Sequence, residues 1–246
     1  MNPEKSFECY VDAIGKLEDR FNRSPIAPHQ DEHLKAKVSP EGKYLPFAGD
    51  TLLFPAPEDL KRWATEVQTQ LFSSFQDVLA FPLSPHFFHI TMHDLFNPLE
   101  KGKSSREEEV RKILPQLLER CKTPTIQLRA VSVYSGGSVA IGIGFIPHNE
   151  EDYHTWKRLR SPFDSLFPSD PLFHIHLTLD YYRPVAVPPT RQAALQQWLA
   201  MQTRNLREHP KTFPLQLSTL QHNRFSDMDH YQPILPGTAA PQCGSL

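Results

Sequence analysis

The sequence predicts an α+β protein with a bilobal, duplicated fold, in which two antiparallel sheets flanked by helices face a central groove. Three observations predict it. The tetrapeptide His89-Ile90-Thr91-Met92 is written again 87 residues later as His176-Leu177-Thr178-Leu179. Both copies fall in short apolar segments of strand character, and strand and helix segments follow similar orders around each. The 24 prolines in 246 residues cluster between the periodic segments, against an average usage of roughly 5%, and so punctuate many short elements.

Taken in order, Phe7, Tyr10, Val11, Ile14, Leu17 and Phe21 recur at helical spacing and predict an amphipathic helix over residues 4 to 22. Residues 23 to 42 are polar and proline-containing and read as a connector draped over the surface. Within it His29 and His33 are four apart, but Pro28 and the lack of a nearby third ligand favour a solvated loop over a metal site. Residues 50 to 54 read as a buried strand closed by Pro55. Residues 58 to 75 read as a helix with Leu60, Trp63, Val67, Leu71 and Phe75 on one face. Residues 77 to 81 read as a strand, and 87 to 95 as the first motif strand.

In the second half, Ser105 and Glu108 carry a capping signature for a helix running to about residue 121. Residues 125 to 134 and 138 to 146, joined through Ser-Gly-Gly, form the clearest hairpin. A helix over 150 to 167, the second motif strand over 172 to 182, a helix over 190 to 206 and a last strand over 213 to 225 complete the series. The expected division is an N-terminal helix and connector (1–42), one bilobal domain (43–235) and a disordered tail (236–246).

Composition excludes several function classes. A net charge of -2 and a pI near 6.6 argue against bulk electrostatic binding of nucleic acid. Three scattered cysteines, Cys9, Cys121 and Cys243, offer neither a disulfide framework nor a zinc-ribbon spacing, which fits a reduced, cytoplasmic setting. No export signal or apolar run of membrane-spanning length is visible. Cys243-Gly-Ser-Leu lacks the aliphatic pair and basic flank of a prenylation motif.

In a strand, His and Thr of each motif share one face and the two apolar residues share the other. Core lies behind and chemistry in front. Two imidazoles across a groove supply acid-base catalysis near neutral pH, one ring accepting a proton while the other donates. A Thr hydroxyl about 6 to 7 Å along the same face can hold an anionic oxygen. The set suits a phosphoryl group under in-line attack and requires no cofactor or metal.

These residues resemble the 2H phosphoesterase superfamily, which includes cyclic nucleotide phosphodiesterases and RNA 2',5'-ligase-like proteins. Its signature is two copies of His-apolar-Thr/Ser-apolar, one per lobe of a bilobal α+β fold, and both copies here match it. The resemblance covers residues 45 to 225. It implies metal-independent hydrolysis of 2',3'-cyclic phosphates or related nucleotide and RNA-end phosphodiesters. His89 and His176 are then the catalytic pair, Thr91 and Thr178 the phosphate ligands, and a monomer acting on a small nucleotide or RNA end the expected form. The alternative is a binding module that recognises cyclic nucleotides or RNA ends without turning them over.

Neighbouring residues extend the candidate site. Strict alternation places His93, His174 and Tyr182 on the motif faces as substrate contacts or groove-edge side chains, whereas a bulge would bring Tyr181 round instead. Either tyrosine ring can stack on a base or close the core. His174-Ile175-His176 invites comparison with histidine-triad hydrolases, but Thr178 stands where the third alternating His belongs. A metal pair of His174 and His176 lacks a carboxylate companion. Lys157, Arg158 and Arg160 form the densest basic cluster, read as a solvated helix face that can alternatively touch a phosphate.

Overall fold

The computed structural model describes residues 6–97, 99, 106–120, 124–167 and 172–234. Six helices are present among them: α1 (Phe7–Arg23), the single turn α2 (Glu32–Lys35), α3 (Glu58–Phe75), α4 (Glu107–Arg120), α5 (Glu150–Asp164) and α6 (Pro189–Glu208). The strands are β1 (Gly49–Pro55), β2 (His89–Phe96), β3 (Thr125–Gly136), β4 (Ala140–Pro147), β5 (Ile175–Tyr181), β6 (Lys211–Gln216), β7 (Gln221–Asp227) and β8 (His230–Pro233). They form two four-stranded antiparallel sheets, in the orders β2-β1-β7-β8 and β5-β4-β3-β6.

Each motif strand is an edge strand of its sheet, and β2 and β5 meet. Helices reach across this junction. From the first half α3 packs on β5, and α5 of the second half, which packs on β3 and β4, also touches β2. A single core cluster accordingly runs through both sheets, joining Leu52, Phe54, Ile90 and Met92 to Ile143, Phe145, Leu177 and Leu179. Burying apolar area on this scale is the main stabilising term for the architecture. The β3–β4 hairpin turns through Gly137, whose φ of 65° is a conformation that side chains with a Cβ rarely adopt.

Residues 77 to 81 are not a strand. Leu79 makes one isolated bridge to Tyr182, and Ala80 N–H donates to Tyr181 C=O (2.9 Å). The next amide, Phe81 N–H, donates to Gly42 C=O (2.8 Å) instead, so the pairing does not continue as a ladder. The expected last strand divides at a 3-10 turn, Leu217–Thr219: β6 pairs with β3, whereas β7 pairs with β1 of the other sheet. Alternation cannot register a change of sheet within one apolar run. Pro214 sits on β6, an edge strand, where its missing N–H costs little.

The connector is not a surface drape, since Ile26, Leu34 and Val38 are buried in the main cluster. The strand β8 has no counterpart in the sequence reading. Ser105, the expected cap of α4, and the tail from 236 lie outside the described residues, as do Cys121 and Cys243. Among the described residues, no helix is long and apolar enough to cross a membrane.

Candidate active site

His89, Thr91, His176 and Thr178 line one cavity of about 230 Å3 between the sheets. The two halves are built alike down to individual hydrogen bonds. His89 Nδ1 donates to Phe87 C=O (2.7 Å), and His176 Nδ1 donates to His174 C=O (2.9 Å), each two residues upstream. A carbonyl can only accept, so both Nδ1 atoms carry hydrogen. In the neutral ring, Nε2 is then the proton acceptor, and it is the nitrogen left for the groove.

Both motif strands bulge at the same place. Leu53 pairs Thr91 while Leu52 pairs His93, which leaves Met92 as the extra residue. Gly142 pairs Thr178 while Ile141 pairs Asp180, which leaves Leu179. A bulge reverses the alternation beyond it. His93 and Asp180 are therefore turned into the interior, both fully buried, and Asp94 and Tyr181 line the cavity. Each bulged carbonyl is held by a buried helix side chain: Arg160 Nη1 of α5 donates to Met92 C=O (2.7 Å), and Gln68 Nε2 of α3 donates to Leu179 C=O (2.8 Å). Helix side chains reaching across the junction thus fix the two points where the strands change face.

The bulges correct the expectations from strict alternation. His93 does not face the groove; its Nδ1 donates to Asp94 C=O (2.6 Å) and its Nε2 lies 3.0 Å from the Asp164 carboxylate on α5. Tyr182 is fully buried with its hydroxyl 2.8 Å from Ser135 Oγ, so it closes the core. Tyr181 lines the cavity, as a bulge requires, but its hydroxyl donates to Met228 Sδ (3.2 Å) and the Lys37 ammonium lies 5.7 Å from its ring centroid. His174 stands behind His176, with ring centroids 5.9 Å apart in a stacked arrangement, and its Nε2 donates to the Glu18 carboxylate of α1 (2.7 Å). Gly144, which pairs with His176, leaves the room this pair occupies, because a Cβ there would collide with the Glu18 carboxylate and stand 3.0 Å from His174 Nε2.

Of the basic cluster, Arg160 is buried as the clamp described, with its guanidinium 4.0 Å from the Phe173 ring centroid. Lys157 lies over Tyr153 and Arg158 donates to Thr155, so none of the three lines the cavity. The wall contains residues that sequence reasoning missed. Tyr231 of β8 lies against His89, with centroids 4.5 Å apart. Lys37 and His33 arrive from the connector, and Asp94 and Asp229 also line the space. No local motif marks these positions. Among the described residues, no three His, Cys, Asp or Glu side chains gather as a metal site.

Burial pushes the His89 ring down to about 4, helped by the neighbouring His176 charge and opposed by the Phe87 carbonyl and Asp94. His176 is also held below the ordinary histidine value, first by burial and then by His174, with Lys37 adding to the effect and Asp94 opposing it. In the free protein burial thus favours the neutral form of both rings. An anionic phosphoryl group between them would favour an imidazolium and so raise the proton affinity of the pair.

Two four-stranded antiparallel sheets, each contributing one bulged His-x-Thr edge strand to a shared cavity, decide the fold. It is an α+β fold of two antiparallel sheets flanked by helices. Similar architectures are met in solved structures. A conserved protein of unknown function from Agrobacterium tumefaciens, ATU0111, aligns at a TM-score of 0.62 with 19% identity, over 83% of this chain and 92% of that one. Escherichia coli LigT complexed with 3'-AMP aligns at 0.47 with 16% identity, over 77% and 96%. TT0787 of Thermus thermophilus aligns at 0.44 with 17% identity, over 71% and 86%. No family model matches the sequence. No curated protein matches it either.

Proposed function

We propose that the groove is the active site of a metal-independent, cytoplasmic phosphodiesterase that hydrolyses 2',3'-cyclic phosphates or related nucleotide and RNA-end phosphodiesters. The observation that carries this reading is the duplicated tautomer lock: both motif imidazoles spend Nδ1 on a main-chain carbonyl and keep Nε2 for one shared cavity. A lone His facing solvent needs no such lock, whereas an acid-base pair needs two defined nitrogens.

In the proposed step, the neutral ring takes a proton from water as its oxygen forms a bond to phosphorus. The P–O bond to the ribose 2' or 3' oxygen breaks, and the imidazolium gives its proton to that leaving oxygen. A cyclic diester becomes a monoester while the pair keeps the same number of protons, and a proton exchange with solvent returns each ring to its starting role. Thr91 and Thr178 donate their hydroxyls to non-bridging oxygens, where charge increases in the transition state. With both histidines depressed, the acid takes up its proton as the anionic substrate raises the proton affinity of the pair.

The test is to incubate the protein with 2',3'-cyclic nucleotides and with short RNA ending in a cyclic phosphate, following product by phosphorus NMR and occupancy by calorimetry. Conversion to a monoester supports the reading. Binding without conversion would make the groove a recognition module instead, and neither binding nor conversion would remove the nucleotide assignment.

A further inference from the structure

The Lys37 side chain is placed in the cavity by a segment outside the repeated lobes. Leu34 and Val38, both fully buried, anchor the turn on either side of it. Val38 bridges to Tyr44, and Leu45 N–H donates to Lys37 C=O (2.8 Å), so the backbone carrying Lys37 is fixed. The ammonium lies 5.0 Å from the Phe47 ring centroid and 5.7 Å from that of Tyr181. Both rings line the same cavity as His89 and His176. Among the described residues, no carboxylate lies within ion-pairing distance of it; Asp94 and Asp31 act on it only through space. Burial holds its proton affinity below the ordinary lysine value, the condition of a cation with little water and no anion beside it.

We infer that Lys37 is a second cationic group of the site, beside the imidazolium of the acid, which binds a non-bridging oxygen of the phosphoryl group and stabilises the charge that grows on it during cleavage. The inference rests on the reading of the groove as a phosphodiester site. A cyclic diester carries one negative charge, whereas its monoester product carries about 1.5 to 2 at pH 7. A fixed ammonium therefore gains more from the transition state and product than from the substrate. Phe47 and Tyr181 hold that ammonium without neutralising it, because a ring face attracts a cation but carries no net charge. Tyr181 is thus the platform for the lysine rather than for a base.

The test uses the full chain with K37M, which keeps the length and the packing on both rings, K37Q as a polar alternative, and K37R to restore the charge. K35M, on an exposed lysine already paired with Glu32, is the control. Inorganic phosphate is titrated by calorimetry and 2',3'-cyclic AMP is assayed for turnover. Removing one charge-assisted contact should weaken phosphate binding about tenfold or more. It should also lower kcat about tenfold to a hundredfold with a smaller change in KM, while K37R recovers most of both and the melting temperature stays at the wild-type value. K37M and K37Q that bind phosphate and turn over as wild type does would overturn the inference, as would a wild-type protein that binds no phosphate. If the wild type binds phosphate through Lys37 but cleaves no cyclic nucleotide, the proposed reaction falls while the anion site stands.

Discussion

Gln68 offers a quantitative test of how the fold holds the second motif. Its amide is buried and donates from Nε2 to Leu83 C=O (2.9 Å) and to Leu179 C=O (2.8 Å). The change Q68L preserves the length and approximate volume of the side chain but removes both donors. Each orphaned carbonyl costs about 1–3 kcal/mol. Taking the lower half of that range for both, and allowing about 1 kcal/mol in return for the added apolar burial, leaves a net loss of about 2 kcal/mol. Urea unfolding should show a lower midpoint at unchanged m. The control Q70L, on the exposed side of the same helix, should stay within about 0.5 kcal/mol of wild type. Because Leu179 is the bulged residue that sets Tyr181 and Thr178 on their faces, Q68L should also reduce turnover of 2',3'-cyclic AMP. A Q68L protein as stable as Q70L would refute the clamp.

Three further outcomes follow from the same geometry. G144A places a Cβ against the Glu18–His174 pair and Ser132 Oγ, and urea unfolding should report a loss of about 1–3 kcal/mol, since neither buried partner can withdraw into solvent. In the pH dependence of kcat/KM, which reports the free protein, both histidine limbs lie below the ordinary 6.5. Activity should rise as the base loses its proton, fall as the acid loses its own, and peak below pH 6.5, with the kcat profile displaced to higher pH by the bound anion; a kcat/KM peak above 7 would contradict this. Above pH 6.5 the His89 ring is neutral in both folded and unfolded chains. As pH falls from 6.5 toward about 4 only the unfolded chain takes up that proton, so wild-type stability declines there by at most about 3 kcal/mol from this residue, and H89Q should lose correspondingly less over the same window in urea titrations at each pH.

Much of the architecture is legible in residue periodicity because α3, α5 and both motif strands each bury one stripe or face. Residues 58 to 75 were bounded by Pro57 and a five-residue apolar stripe, and the helix occupies that span. The bulges are not legible, since nothing in Thr91-Met92-His93 distinguishes a bulged strand from a regular one. The extra residue is selected by tertiary donors on α5 and α3. That is why His93 and Tyr182 read as groove residues and Asp94 did not. Arg160 read as part of a solvated charge cluster because its acceptor, Met92 C=O, is 68 positions away in the chain. Lys37 was hidden for a similar reason: its segment is polar on average, and scattered apolar residues such as Ile26, Leu34 and Val38 tie it down. The four motif residues stood out because the chain states them twice.

The central claim, that His89 and His176 are one acid-base pair, is tested most directly by the turnover of 2',3'-cyclic AMP by wild type, H89Q, H176Q and the double variant, each checked for fold by circular dichroism. Removing a positioned acid or base lowers kcat on the order of 10² to 10⁴-fold. Two groups acting as a unit lose far less than the product of the single effects when both are removed. The account predicts a loss of that size in each single variant, little further loss in the double, and no change in wild type on adding a chelator. Folded double variant cleaving at the wild-type rate would contradict it.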